Sequence, residues 1–102
     1  MTRDEFEYQV SKALPEGKTA PEPTDSQYKL IEYVYTFHPS ISETDGKAQI
    51  AMLYVNFGIS IIQDMKPRAE LMEKKERELR EARLRFEMIQ REIEEIKAGG
   101  EI

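Results

Sequence analysis

The sequence has no cysteine and only one histidine, His38, among its 102 residues. The absence of cysteine excludes disulfides, thiolate nucleophiles and cysteine-ligated zinc. A single histidine, with no second histidine and no serine at a spacing that suits a base, is weak support for catalysis. We therefore expect no catalytic residue, no metal site and no cofactor.

The sequence also lacks a hydrophobic run long enough to cross a bilayer. Its one charge-free stretch, Ala48–Gln63, has sixteen residues and includes Gln49 and Asn56. A membrane-spanning helix needs about 20 mostly apolar residues. The first ten residues have neither the basic region nor the apolar run of a signal peptide. We expect a soluble, cytoplasmic protein with no membrane partner.

The excess of acidic over basic side chains is confined to the first two thirds of the chain. Residues 1–64 carry ten acidic and five basic side chains, whereas residues 65–102 carry ten of each. A chain with an isoelectric point near 5.0 is not drawn as a whole to phosphate backbones. The arginines of the second segment share their arc of the helix with glutamates. We expect no nucleic-acid partner and keep a nucleic-acid accessory role only as a second alternative.

The beginning of the chain has the pattern of a short helix followed by a linker. Thr2 and Glu5 are spaced as a capping box, and apolar residues recur at helical spacing through residues 1–14. Residues 15–24 contain three prolines and no large apolar side chain. This composition predicts an extended proline-rich linker, so we expect the first helix to be loosely attached.

The apolar pattern of residues 25–65 predicts a core unit of two helices. The first, Asp25–Phe37, also has the composition of a strand, but no second strand is present to pair with it. The second, Lys47–Met65, is apolar over roughly two thirds of its circumference, so we expect it to be surrounded. Gly58 lies in its middle and suggests a close approach of helices there.

The corner between these two helices holds the only histidine. His38 lies in the last turn of the first helix, where a cation suits the negative end of the helix dipole, and Pro39 ends that helix. The hydroxyl and acidic side chains that follow can cap the next helix. We favour this structural role for His38. The alternative is a small-molecule or metal-binding helical enzyme that uses His38 with the polar residues of the core helix, which are Gln49, Asn56, Ser60 and Gln63.

Residues 66–98 predict one long helix that begins near Pro67. Proline is tolerated in the first turn of a helix and disfavours an α conformation at the residue before it. Two alternatives remain for this point of the chain: a reversal into a hairpin, or a kinked continuation of the preceding helix.

The long helix carries a heptad pattern of apolar residues, which predicts a coiled-coil interface between copies of the chain. Lys75 and Arg68 interrupt the pattern near its beginning. The predicted interface residues are Met72, Leu79, Ala82, Phe86, Ile89, Ile93 and Ile96. Leu84 and Met88 lie on the opposite face and form a possible second contact face. The other faces carry five acid–base pairs at i, i+4, each stabilising the helix by a few tenths of a kcal/mol.

These patterns predict an all-α fold, with a small helical unit and a long coiled-coil-type C-terminal helix that forms a bundle by oligomerisation. The apolar stripe of the long helix is too long for the first two helices to cover. Self-association covers it economically, because two identical apolar stripes can bury each other around a two-fold axis. We therefore expect a non-catalytic interaction or scaffold protein that acts as a homo-oligomer, most simply a dimer, together with a protein partner that the sequence does not identify.

Overall fold

The computed structural model describes residues 1–100, and this part of the chain is all-α. It forms helices α1 (Arg3–Ala13), α2 (Asp25–Phe37), α3 (Gly46–Phe57) and α4 (Ile59–Gly100), with no strand in that range. The chain divides into two units, of which the first is Met1–Met72 and the second begins at Glu73. Within residues 1–100, no helix combines the length and the apolar character that crossing a membrane requires. The predicted all-α class with a long C-terminal helix is confirmed.

The first two helices begin at threonine caps. The Thr2 hydroxyl accepts the backbone N–H of Glu5 at 3.2 Å, so half of the predicted capping box is present. The Glu5 carboxylate forms an ion pair with Lys47 of α3. The complete capping box lies at α2, where Thr24 and Gln27 each bond the other's backbone N–H. These local bonds satisfy backbone donors that a helix start leaves unpaired.

Helix α1 belongs to the core of the first unit, which differs from the expected loose attachment. Phe6 is 1% exposed, and its ring packs edge-on against Tyr28 at 5.7 Å and Tyr54 at 5.5 Å between centroids. Helix α1 packs mainly on α3, and α2 packs on α3 as well. Burial of one phenylalanine side chain stabilises the fold by about 1.5–3 kcal/mol, so Phe6 anchors α1 to the core.

The proline-rich segment after α1 is tied to the same core. The Tyr54 hydroxyl donates a hydrogen bond to the Pro21 carbonyl, and Pro23 is buried. Two ion pairs also connect α1 to its neighbours, Arg3–Asp25 and the Glu5 pair with α3. Their side chains are 41% exposed or more, so each ion pair adds little stability. The aromatic packing and the Tyr54 hydrogen bond therefore hold this segment.

The predicted core helix Lys47–Met65 is interrupted at Gly58, so this stretch forms α3 and the beginning of α4. The backbone of Gly58 has φ +76° and ψ −170°, and its N–H donates to the Tyr54 carbonyl at 2.8 Å to close α3. This conformation is essentially restricted to glycine. A Cβ atom added at Gly58 would meet no atom within 4 Å. The glycine is needed for its backbone conformation, and the expected close approach of helices is not observed.

Pro67 lies inside α4, so the chain does not reverse there. Residues on both sides of it, Ile62 and Ala69, are fully buried in the first unit, while Pro67 itself is exposed. The core therefore extends beyond the predicted limit at Met65. At the other end, α4 continues past the predicted stop at Ala98 to Gly100.

Replacement of Gly58 by alanine should destabilise the first unit by about 1–3 kcal/mol, because a Cβ atom disfavours this backbone conformation. Asparagine, which tolerates ordinary left-handed turns, should give a similar loss because ψ is near 180° at this position. The free energy of unfolding in urea measures both effects. Gly99→Ala, inside α4, is the control and should be neutral or slightly stabilising. An unchanged stability of Gly58→Asn would contradict this account.

Candidate interaction face

The second unit is helical because its sequence favours helix at nearly every exposed position. Sixteen of the 28 residues 73–100 are glutamate, arginine or lysine, all of which favour helix. Two ion pairs along the helix add to this: Glu73–Arg77 at 3.1 Å and Lys75–Glu78 at 3.3 Å. The first of them is one of the five predicted i, i+4 pairs. Residues 73–100 therefore form a regular scaffold that holds apolar side chains at fixed spacing.

The predicted interface residues lie along α4 and are exposed to solvent. Phe86 is 62% exposed and Ile96 is 72% exposed, although both are large and apolar. Spacings of three and four residues place them in one stripe, because such residues are neighbours on a helix surface. We call this stripe the seam. Its members in the second unit are Leu79, Ala82, Phe86, Ile89, Ile93 and Ile96; Met72, the predicted member one heptad earlier in sequence, ends the first unit.

An exposed stripe of this length has a physical consequence. Each large side chain contributes about 1.5–3 kcal/mol when it moves from water into an apolar contact. Contiguous apolar patches of several hundred Å² are rare on monomers and mark interaction sites. The seam is therefore the candidate functional site of this chain.

Leu84 and Met88 are also exposed on the same helix, at 60% and 59%. They lie one turn apart, on the side away from the seam. Sequence reasoning did not single out Leu71, Met52 and Phe57, which are more than half exposed as well. The last two belong to α3, which we expected to be surrounded on all sides. The sequence has no helical periodicity that predicts the exposure of Met52 and Phe57, because most residues around them are apolar.

His38 accepts a hydrogen bond, which requires a neutral ring nitrogen. Its Nδ1 accepts the backbone N–H of Ser40 at 3.1 Å, and the residue is buried. Burial lowers the pKa of His38, and the nearby Arg68 guanidinium lowers it further. The expectation of a cationic histidine that stabilises the helix end is therefore wrong, because burial disfavours the charged imidazolium and Nδ1 accepts a hydrogen bond. His38 remains the residue that closes α2, as its C-cap.

The polar residues of the predicted core helix have separate local contacts. The Gln49 side chain donates to the Ser40 carbonyl and accepts the Ser42 N–H, both at 2.9 Å, so it holds the corner after His38. The Ser60 hydroxyl donates to the Phe57 carbonyl at 3.2 Å. Asn56 and Gln63 are exposed and lie on different helices, because α3 ends before Gly58. Across residues 1–100, no group of three or more histidine or acidic side chains is placed to hold a metal ion.

The first unit contains a cavity of about 470 Å³ beside α1 that sequence reasoning missed. Its size falls within the usual range for small-molecule sites. The Tyr28 hydroxyl in its lining donates to Glu7 at 3.1 Å, and burial together with this carboxylate raises the pKa of Tyr28 to about 12. The cavity exists because the proline-rich segment folds back onto α1, and no local sequence pattern indicates that contact. Its lining includes Phe6, Val10, Leu14, Pro21, Tyr28 and Tyr54.

The lowered pKa of His38 predicts how stability depends on pH. As the pH falls, the unfolded chain binds a proton at His38 near the ordinary pKa of 6.5, whereas the folded chain binds it only at a lower pH. The contribution of His38 should therefore be present above about pH 7 and be lost as the pH falls through 6.5 toward the folded-state pKa. Urea denaturation of the wild type and of His38→Gln at several pH values isolates this contribution from that of the carboxylates.

The stability advantage of the wild type over His38→Gln should shrink between pH 7.5 and pH 5. An advantage that grows on acidification would mean that the folded state prefers the imidazolium, as at an exposed helix C-terminus.

The comparisons with known proteins give this chain no relative: no protein-family model matches the sequence, and neither a curated protein nor a solved structure does.

Proposed function

We propose that this chain is a non-catalytic, cytoplasmic interaction or scaffold protein that acts as a coiled-coil homodimer through the seam. One observation carries the proposal. Large apolar side chains at heptad spacing lie exposed from Leu79 to Ile96, on a helix that is otherwise mostly charged. Heptad spacing keeps such a stripe in contact with a second helix over its whole length.

The charge of the second unit supports a second copy of the chain as its partner. Residues 73–100 contain eight acidic and eight basic side chains, so two copies of this segment do not repel each other as wholes. Residues 1–72, in contrast, contain eleven acidic and seven basic side chains and are net negative. Self-association through the first unit would bring like charges together, which association through the seam avoids.

Two features of the first unit support a role without catalysis. His38 is used in closing a corner, through the hydrogen bond from Ser40 and through burial. Gln49, the polar residue of α3 nearest that corner, has both ends of its amide bonded to the same loop. Groups that are already satisfied in this way have local structural roles and need no substrate to explain them.

Ile89→Glu should dissociate the dimer, because it places a charge in the middle of the apolar contact. We expect the dissociation constant to rise about 100-fold or more, since each dimer would bury two unpaired carboxylates. Sedimentation velocity over a concentration series measures this change. Ala98→Glu adds the same charge to an exposed position of the same helix outside the seam and should leave the dimer intact. A wild-type protein that sediments as a monomer at tens of micromolar would refute the proposal.

We propose that Leu84 and Met88 form a smaller, second contact face for a further copy or for another protein. Both are apolar and exposed one turn apart, and methionine packs adaptably against different surfaces. The mixed charges around this face would set the register of the contact more than its affinity; they are Arg77, Glu81, Arg91 and Glu95.

The double substitution Leu84→Ser, Met88→Ser should leave the helix content and the primary dimer unchanged while it reduces higher-order assembly. Circular dichroism, together with light scattering at increasing concentration, tests both parts. A loss of the primary dimer as large as that caused by Ile89→Glu would place these residues in the seam itself and contradict the assignment.

A further inference from the structure

The seam can meet a second copy in either direction, and the two directions bring different residues together. In a parallel pair in register, every seam residue faces its own copy. In an antiparallel pair, residues from the first half of the seam face residues from the second half. The seam residues differ in size along the helix, and Lys75 occupies the position one heptad before Ala82. Size and charge therefore distinguish the two directions.

The parallel arrangement produces poor layers. Lys75 would lie against Lys75 of the partner subunit, between two apolar layers, which opposes like charges at the interface. Ala82 would face its own copy next to a layer in which two Phe86 rings meet. A small layer beside a very large one leaves either a void or a strained contact, and both are destabilising.

One antiparallel register makes every layer from Leu79 to Ile96 apolar, and these layers differ less in size than those of the parallel pair. With Phe86 opposite the partner's Ile89, Leu79 lies opposite the partner's Ile96, and Ala82 lies opposite the partner's Ile93. Each small or medium side chain then meets a branched one, as close packing requires. Lys75 lies level with the partner's Gly100, beyond the last apolar layer, where its ammonium group can reach water.

The neighbouring antiparallel registers, shifted by one heptad, fail. Moving Phe86 opposite the partner's Ala82 places Lys75 against the partner's Ile93. Moving it opposite the partner's Ile96 leaves Leu79 with no apolar residue of the partner's residues 73–100 to face. A charged side chain against isoleucine, or an uncovered leucine, each lowers the affinity.

The charged residues beside the seam agree with this register. Arg85 lies next to the seam on the same flank as Glu92, one heptad later. In the antiparallel pair, Arg85 lies nearest to the partner's Glu92 along this flank. The contact is attractive and occurs twice by symmetry. In the parallel pair the flanking contacts differ: Arg83 would lie near the partner's Glu78, and Arg85 near the partner's Gln90.

We propose that residues 73–100 bind the same segment of a second copy in antiparallel orientation, with Phe86 opposite the partner's Ile89. This inference rests on the proposed function, because it specifies how the seam associates. The dimer then has its two-fold axis at the level of residues 87 and 88, and the partner of the seam is the seam itself in reverse.

Single cysteines test the orientation directly, because the chain has no cysteine of its own. Leu79→Cys and Ile96→Cys are made separately in the full chain, and each tolerates a small apolar replacement at an exposed helix position. The proteins are oxidised in a glutathione buffer, alone and as an equimolar mixture, and the covalent dimers are identified by mass. A disulfide requires the two Cα atoms to lie within about 7 Å.

The antiparallel register predicts disulfide-linked heterodimers in the mixture and little covalent dimer with either variant alone. In that register two copies of residue 96 lie seventeen residues apart in level, which is about 25 Å along the helix. Covalent homodimers of each variant alone would establish the parallel orientation and overturn the inference while leaving the proposed function intact. An absence of covalent dimers in every sample, with a monomer in sedimentation, would overturn both.

A matched pair of charge reversals gives an independent test. Arg85→Glu places a glutamate near the partner's Glu92 and should raise the dissociation constant of the dimer about tenfold. Arg83→Glu makes the same change two residues away and should alter it less than threefold. The double variant Arg85→Glu, Glu92→Arg should restore the affinity, because it exchanges the two charges of one pair. The reverse order of the two single variants would indicate the parallel pair and overturn the inference.

Discussion

The backbone at Gly58 takes a conformation that only glycine adopts at low cost, and the arrangement of the first unit depends on it. An apolar stretch of sixteen uncharged residues would otherwise continue as a single helix. Because the helix is broken after Phe57, α3 can bury Ile50 and Tyr54 while α4 begins a separate contact through Ile62. The cost of this conformation is offset by the burial of side chains from both helices in one core.

Tyr54 connects that core to the beginning of the chain. Its ring packs on Phe6, and its hydroxyl group holds the Pro21 carbonyl, so one side chain fixes both α1 and the proline-rich segment. The cavity beside α1 and the buried position of Phe6 both follow from this contact. Polar groups in the corner after α2 are satisfied by Gln49 and His38 in the same way, through bonds to nearby backbone. The first unit is therefore held by a small number of contacts between residues far apart in sequence.

The second unit follows a different physical rule. Residues 73–100 have no hydrophobic core of their own; the apolar side chains of this segment are exposed, and its charges balance. A helix of this composition remains helical because of residue propensity and ion pairs along its surface. Its seam leaves large apolar side chains in contact with water, which association would remove. We propose that this combination of a folded unit and an exposed apolar stripe serves assembly, and the pairing of large with small seam residues would give that assembly a direction.

The sequence by itself determined the features that depend on residues a few positions apart. The Thr2 cap, the bounds of α2 and the heptad spacing of the seam all belong to this class, because a helix places residues three and four apart side by side whatever surrounds it. Leu79, Phe86 and Ile93 could therefore be grouped without a structure.

The tertiary structure decided what depends on contacts between distant residues. Proline-rich composition indicated a loose linker, but Tyr54 and Phe6 hold the segment and the helix before it. Glycine in an apolar run is compatible with close helix packing or with a break, and only the backbone angles at Gly58 distinguish the two. The helix dipole favours a charged His38, whereas burial, which arises from the packing of other helices, lowers the pKa of His38. Burial and backbone strain are properties of the assembled chain, so no local pattern of residues could have fixed them.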